Sequence, residues 1–146
     1  MKTKLLKKII DKEIVVGVVG LGYVGLPLAV EKAKAGFKTI GFDVQNEKVE
    51  CVNEGVNYIG DVVDADLKKL VADKTLSATT DFSFIKNVDF IAICVPTPLD
   101  AHQQPDISYV KASTEAISKY LTKDTMVVLE SSTYPGTTEE LVKPIL

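Results

Sequence analysis

The stretch from residue 14 to residue 43 constrains the fold more than any other. It opens on a β-branched run, Ile14 to Val19, and enters three glycines, Gly20, Gly22 and Gly25, spaced G-x-G-x-x-G. A helical pattern follows, with Val24, Leu28, Ala29 and Ala33 as its apolar positions and Glu31, Lys32 and Lys34 as its polar ones. Gly36 ends that pattern, a second strand is predicted over 37–42, and Asp43 stands at its carboxyl end, 18 positions after Gly25. Strand, glycine turn, helix and strand in this order make a βαβ unit, which lays two parallel strands side by side.

Each part of the unit has a physical task. Gly20 lets the chain turn sharply out of the strand, Gly22 lets an anionic diphosphate approach the backbone, and Gly25 lets the helix lie close to the strand. The free amides of Tyr23 and Val24 are expected to face that ligand at the positive end of the helix dipole. Asp43 is expected to accept hydrogen bonds from a ribose diol, a contact to a charged group worth roughly 1.5–3 kcal/mol. A 2′-phosphate would meet the Asp43 carboxylate, and no Arg follows within the next few residues. The unit therefore predicts NAD rather than NADP. Pro27 is expected near the second helical turn, where it removes one backbone hydrogen bond.

The rest of the chain alternates strand and helix. Helices are predicted over 46–54, with Val49 and Val52 inward and Gly55 as the stop, and over 64–72, with Leu67, Leu70 and Val71 on one face. A third strand covers 76–79, and Asp81 is expected to cap a short helix reaching Ile85. The run Asp89 to Val95 is nearly all apolar, which suits a strand buried on both faces. A proline-rich loop over 96–105 leads to a helix from Asp106 to about Leu121, a fifth strand over 125–129, a loop over 130–135 and the start of a helix over 136–142. The expected fold is α/β: one domain, a Rossmann-like doubly wound parallel sheet in the order 3-2-1-4-5 with helices on both faces. A sixth strand is missing from this count, and the chain reads as a truncated piece that stops where a crossover into that strand should continue.

Composition narrows the function. The 146 residues are 46% apolar and 25% charged, as in an ordinary soluble chain, and the net charge of −3 gives no footprint for nucleic acid. Cys51 and Cys94 are too few and too far apart for a disulfide framework or a metal site, so no metal is expected and a reducing cytoplasm fits. No apolar run of 18 residues exists, and no membrane span is expected. Residues 1–13 carry five lysines among Leu5, Leu6, Ile9 and Ile10, which predicts a short amphipathic helix beside the first strand rather than a signal peptide.

Several segments together resemble the UDP-glucose/GDP-mannose dehydrogenase family. They are Gly20 to Ala29, Gly41-Phe-Asp43 followed by Lys48, Ala78-Thr-Thr-Asp81, Cys94-Val-Pro-Thr-Pro98 and Ser132-Thr-Tyr-Pro-Gly-Thr137. Pro105 to Tyr109 and Glu130 to Thr138 are most similar to the branch acting on UDP-N-acetylglucosamine or UDP-N-acetylmannosamine. The resemblance spans residues 14–146 and implies a nucleotide-sugar 6-dehydrogenase acting on a UDP-N-acetyl-hexosamine or UDP-glucose. Such an enzyme takes a sugar C6 alcohol to a carboxylate in two NAD-dependent steps, through a covalent intermediate on a cysteine. It implies cofactor contacts from Gly20, Leu21, Gly22, Tyr23, Val24 and Gly25, from Asp43 and Lys48 at the adenosine end, from Val95 and Thr97 after the fourth strand, and from Thr133 after the fifth. Thr133 would sit near the nicotinamide and help place a water. The catalytic cysteine and the nucleotide-sugar pocket belong to later regions of the family, so this piece is expected to bind NAD without turnover, and the whole enzyme is expected to be a homodimer.

Other residues read more plainly. Cys94 lies in an apolar strand and behaves as a small hydrophobe rather than a nucleophile, which needs a thiolate. His102, the only histidine, falls in a solvated loop. Glu130 sits at a ligand-binding edge but reads first as serving loop amides, and Tyr58 reads as an aromatic tucked under a loop, with covering part of the cleft as the second reading. Two other functions fit the first βαβ unit: a stand-alone NAD-sensing module, and a dehydrogenase of the hydroxyacid or 6-phosphogluconate type. The Pro-Thr-Pro and Ser-Thr-Tyr-Pro-Gly loops argue against both.

Overall fold

Five parallel strands, numbered along the chain, form one sheet in the order 3-2-1-4-5, the predicted order. The structure, a computed structural model, describes residues 2–146, with side chains from Leu5 onward. The strands are β1 (Val15–Val19), β2 (Lys38–Phe42), β3 (Leu76–Thr79), β4 (Phe90–Ile93) and β5 (Met126–Leu129). The helices are α1 (Lys2–Ile10), α2 (Gly25–Lys34), α3 (Asn46–Asn53), α4 (Asp64–Ala72) and α5 (Ser108–Ser118). β1 lies between β2 and β4, with Val19 opposite both Phe42 and Ile93.

Side-chain alternation along the strands builds a core on each face. Val16 and Val18 of β1 and Ala92 of β4 join Leu26, Ala29, Val30 and Ala33 of α2 and Leu67 and Leu70 of α4. Val19, Ile40, Phe42, Ile91 and Ile93 point the other way, against Ile117 of α5 and Ile85. The α2 stripe differs from the predicted one. Val24 is 56% exposed and Leu28 half-buried, while Leu26 and Val30 are buried. The helix begins only at Gly25, so its inward face starts one residue past the end of the glycine motif.

Pro27 explains that start. Leu26 N–H reaches Gly22 O and Leu28 N–H reaches Val24 O, both at 3.1 Å. The rung between them is missing because Pro27 has no N–H for the Tyr23 carbonyl. Pro27 therefore sits in the first turn rather than the second.

Other boundaries also differ from expectation, β4 among them, which covers Phe90–Ile93 rather than the whole run from Asp89 to Val95. Asp81 accepts the Ser83 amide at 2.9 Å, but the 3-10 turn it caps runs from Phe82 to Asn87, past Ile85. Asp106 likewise accepts the Ser108 amide at 2.9 Å, and α5 ends at Ser118, short of Leu121. The expected closing helix is a wide π-type turn, Thr138–Val142, followed by one α turn, Lys143–Ile145. Pro144 cannot donate to the regular ladder, and Lys143 N–H instead bonds five residues back, to Thr138 O.

Helix α1 closes the amino edge of the sheet. Leu5 packs on the first core, and Lys8 Nζ meets Asp89 Oδ1 at 2.6 Å. Lys12 Nζ donates to Ala35 O at 2.8 Å and lies 4.2 Å from the Phe37 ring centroid. Met1 lies outside the described residues. No helix among the described residues is long and apolar enough to cross a membrane.

Candidate functional site

The carboxyl ends of β1, β2, β4 and β5 converge on one edge, where open parallel sheets take their ligands. Backbone bonds continue the ladder to the rim: Gly20 N–H to Phe42 O at 2.8 Å, Cys94 N–H to Val19 O at 2.7 Å and Glu130 N–H to Ile93 O at 2.8 Å. The loops leave the sheet from fixed points.

The three glycines meet three different demands. Gly20 has φ +91° and a Cβ there would come within 2.7 Å of the Cys94 carbonyl oxygen. A Cβ on Gly25 would land on the Gly20 carbonyl oxygen, so strand and helix touch through backbone alone. At Gly22 a Cβ would meet no atom within 4 Å. That open space leaves the Gly22 backbone accessible from the cleft. Among the described residues, the amides of Gly22, Tyr23 and Val24 donate to no protein acceptor. Three free donors at the start of a ten-residue helix make a cradle whose geometry suits an anion.

Asp43 flanks this cradle and is only 7% exposed. Its Oδ2 accepts the Leu21 amide at 2.8 Å and its Oδ1 accepts the Gln45 amide at 2.9 Å. Each carboxylate oxygen keeps a second lone pair for a ligand hydroxyl. Lys48 Nζ lies 3.9 Å from Oδ2, with its side chain about one-third exposed. Leu21 itself stands apart from the cleft: its side chain is fully buried, filling the space over Gly41, and its amide is taken by Asp43.

Two hollows meet at Gly20, Asp43, Lys48, Val95 and Pro96. The larger, about 510 Å³, runs along the glycine turn past Tyr23 and Val24 to Thr97, Glu130, Ser131 and Ser132. The smaller, about 230 Å³, is mostly apolar and lies between Val44 and Phe82 on one side and Tyr109, Ala112 and Ala116 of α5 on the other. An elongated ligand with an anionic middle, a hydroxylated sugar beside Asp43 and a flat apolar end fits this pair of spaces. The free amides, the open side of Gly22 and the Asp43 carboxylate together suit a dinucleotide.

Gly20, Gly22, Tyr23, Val24, Asp43, Lys48, Val95 and Thr97 all reach the cleft, while Gly25 supports it from behind. Thr133 does not line either hollow. Ser131 and Ser132 do, and Ser131 Oγ donates to Val95 O at 2.8 Å, tying the β5 loop to the β4 loop. Tyr58, for which sequence reasoning favoured an aromatic under a loop over a cover for the cleft, is a wall residue. It is half-buried, lines the larger hollow and donates its hydroxyl to Leu21 O at 2.8 Å. Burial, and then the Asp43 charge, push its phenol above the ordinary range. No local sequence signal marks it, because its partner lies 37 residues away.

Cys94 touches the cleft but is 6% exposed, and burial, with Glu130 adding to it, pushes its thiol up to about 12. It stays protonated near neutral pH and is no nucleophile. Cys51 is half-buried on α3. His102 is exposed at the tip of the proline-rich loop, its amide held by Asp100 Oδ1 at 2.7 Å. Among the described residues no group of three His, Cys, Asp or Glu side chains is placed to hold a metal ion.

Comparison with known proteins agrees with this geometry. Residues 14–146 match the NAD binding domain of the UDP-glucose/GDP-mannose dehydrogenase family. The chain is 39% identical over 135 residues to the UDP-N-acetyl-D-glucosamine 6-dehydrogenase of Pseudomonas aeruginosa, covering 92% of this chain and 31% of that protein. It is 39% identical over 131 residues to the protein CapL of Staphylococcus aureus, covering 90% and 30%. The solved UDP-D-ManNAc dehydrogenase of Pyrococcus horikoshii superposes with a TM-score of 0.85 at 32% identity, over 90% of this chain and 32% of that one. The chain thus spans about a third of the length of the curated relatives it matches. A glycine cradle with free amides, a buried carboxylate beside it and a family match over nearly all of the chain lead to one assignment: the chain belongs to the UDP-glucose/GDP-mannose dehydrogenase family, as its NAD-binding domain.

Proposed function

We propose that this domain holds NAD for a nucleotide-sugar 6-dehydrogenase that oxidises the C6 alcohol of a UDP-N-acetyl-hexosamine to a carboxylate. The observation that carries the reading is the set of unbonded amides at Gly22, Tyr23 and Val24 above an open Gly22, with Asp43 beside them. Those amides and the dipole of α2 bind the diphosphate. Asp43 binds the adenosine ribose and repels a 2′-phosphate, with Lys48 next to it. The apolar slot by Tyr109 takes the adenine, and Thr97 borders the other end. Bound NAD supplies the hydride acceptor; the chain's own residues bind it, orient it and shield it.

The sugar class rests on the branch that the relatives represent, since the P. aeruginosa relative is named for UDP-N-acetyl-D-glucosamine. Uronic acids made in this way suit surface polysaccharide. Two free cysteines suit a reducing cytoplasm, and a homodimer is the assembly proposed for the whole enzyme. Neither cysteine here suits covalent catalysis, so the chain alone binds NAD and releases no NADH. Thr133 is proposed to act on a water near the nicotinamide rather than to hold NAD.

Calorimetry with NAD and NADP tests the cofactor reading. Binding of NAD, with NADP weaker by at least tenfold, supports it; no heat with NAD overturns it. Absorbance of NADH after mixing the chain with NAD and UDP-sugars tests the rest, and any turnover shows that this chain carries a nucleophile of its own.

A further inference from the structure

Tyr58 reaches the glycine turn from a loop between α3 and α4, far away in sequence. Its placement is not loose. Asn57 Nδ2 donates to Val62 O at 2.6 Å and to Asp64 Oδ1 at 2.9 Å, while Asn57 Oδ1 accepts the Ile59 amide at 2.9 Å. Ile59 and Val62, which follow Tyr58 in the loop, are 5% and 6% exposed. The loop is therefore anchored by its own bonds and by two buried side chains, and it presents the phenol at one position.

The consequence follows from peptide geometry. Leu21 O and Gly22 N–H belong to one planar trans peptide, so they point in opposite directions. When the Tyr58 hydroxyl fixes Leu21 O, the Gly22 amide is turned away from Tyr58 and left free. The preceding peptide is fixed as well, because Asp43 Oδ2 holds its N–H at Leu21. Two successive peptide planes are thus held by side chains from two other elements. A donor on the carbonyl also polarises the amide at its far end, since linked hydrogen bonds strengthen one another.

We infer that Tyr58 is a positioning residue for diphosphate binding, aiming and polarising the Gly22 amide through the Leu21 carbonyl. The inference rests on the proposed cofactor reading, which assigns a diphosphate to the glycine turn. It predicts that Tyr58 matters for ligands that carry a diphosphate and not for the nucleoside alone.

The test compares the chain with Tyr58→Phe, which removes one hydroxyl and leaves the ring. Calorimetry with NAD and ADP is expected to show about fivefold weaker binding of both. Adenosine, followed by chemical-shift titration, is expected to change less than twofold, taking twofold as roughly the limit of detection. Equal weakening of all three ligands would indicate a general structural role and overturn the inference, as would unchanged ADP binding. A second measurement needs no ligand. In the variant the Gly22 amide proton should move upfield and its backbone order parameter should fall, with α2 unchanged. If neither moves, Tyr58 does not aim the turn. If the parent chain binds no NAD but Gly22 responds, the cofactor reading fails while the positioning role stands.

Discussion

The two halves of the sheet build their share of the cleft from different materials. The first half, β1-α2-β2, offers chiefly backbone: free amides of a glycine turn whose close approaches at Gly20 and Gly25 leave no room for a side chain, with the Asp43 carboxylate beside them. The second half, β4-α5-β5, offers side chains on loops, Thr97, Glu130, Ser131 and Ser132, joined mainly by the bond from Ser131 to Val95. Burial separates β5 from the rest. Four of five residues in each of β1 and β2 and three of four in β4 are buried, whereas β5, at the edge of the sheet, has none. A site made of backbone tolerates few replacements at its glycines, while a site made of loop side chains can be altered without disturbing the fold.

That contrast can be broken by substitution. Gly25→Ala is expected to have the largest effect, since the new methyl would occupy the place of the Gly20 carbonyl oxygen and neither backbone can yield. A loss of about 3 kcal/mol in stability is expected, with NAD binding weakened roughly 100-fold. Denaturant unfolding and calorimetry measure both, and a Gly25→Ala chain that unfolds and binds as the parent does would show that strand and helix can separate. Asp43→Asn comes next. Its amide group would face one of the two backbone N–H donors that the carboxylate now satisfies, and NAD affinity should fall about 10- to 100-fold together with the melting temperature.

Gly22→Ala sharpens the comparison by separating binding from folding. Its methyl enters open space, so the melting temperature should hold while NAD binding weakens by about tenfold as the diphosphate is pushed off the backbone. An unchanged affinity would mean that the ligand does not pass over Gly22. In the second half the effects shrink. Ser131→Ala removes one hydrogen bond, at about 1 kcal/mol of stability, and should alter NAD affinity less than about threefold. Thr133→Ala should leave NAD affinity within about twofold, because Thr133 lines neither hollow. A larger loss would move the β5 loop's role from shaping the cleft to gripping the cofactor.

The same divide governs how much could be read from the sequence. Gly20, Gly22, Gly25 and Asp43 announce themselves because backbone constraints restrict residue type at fixed spacing. Strand order followed from the alternation of elements and the handedness of the crossovers. The inward stripe of α2 was misplaced because Val24 continues the helical spacing but precedes the first helical residue. Leu21 sits within the motif, yet its contacts lead into the core. Asp43's two backbone partners, and the bond from Tyr58, depend on where distant loops return, which no local pattern encodes. Along the β5 loop, which of Ser131, Ser132 and Thr133 reaches the cleft turns on one residue of path, which the sequence does not mark.

The abutment of Gly25 on the Gly20 carbonyl has a kinetic side. With no slack between strand end and helix start, the donors above them are set before any visitor arrives. Capture should then be limited by encounter instead of by rearrangement of the turn, and what varies among substituted chains should be the residence time of the dinucleotide.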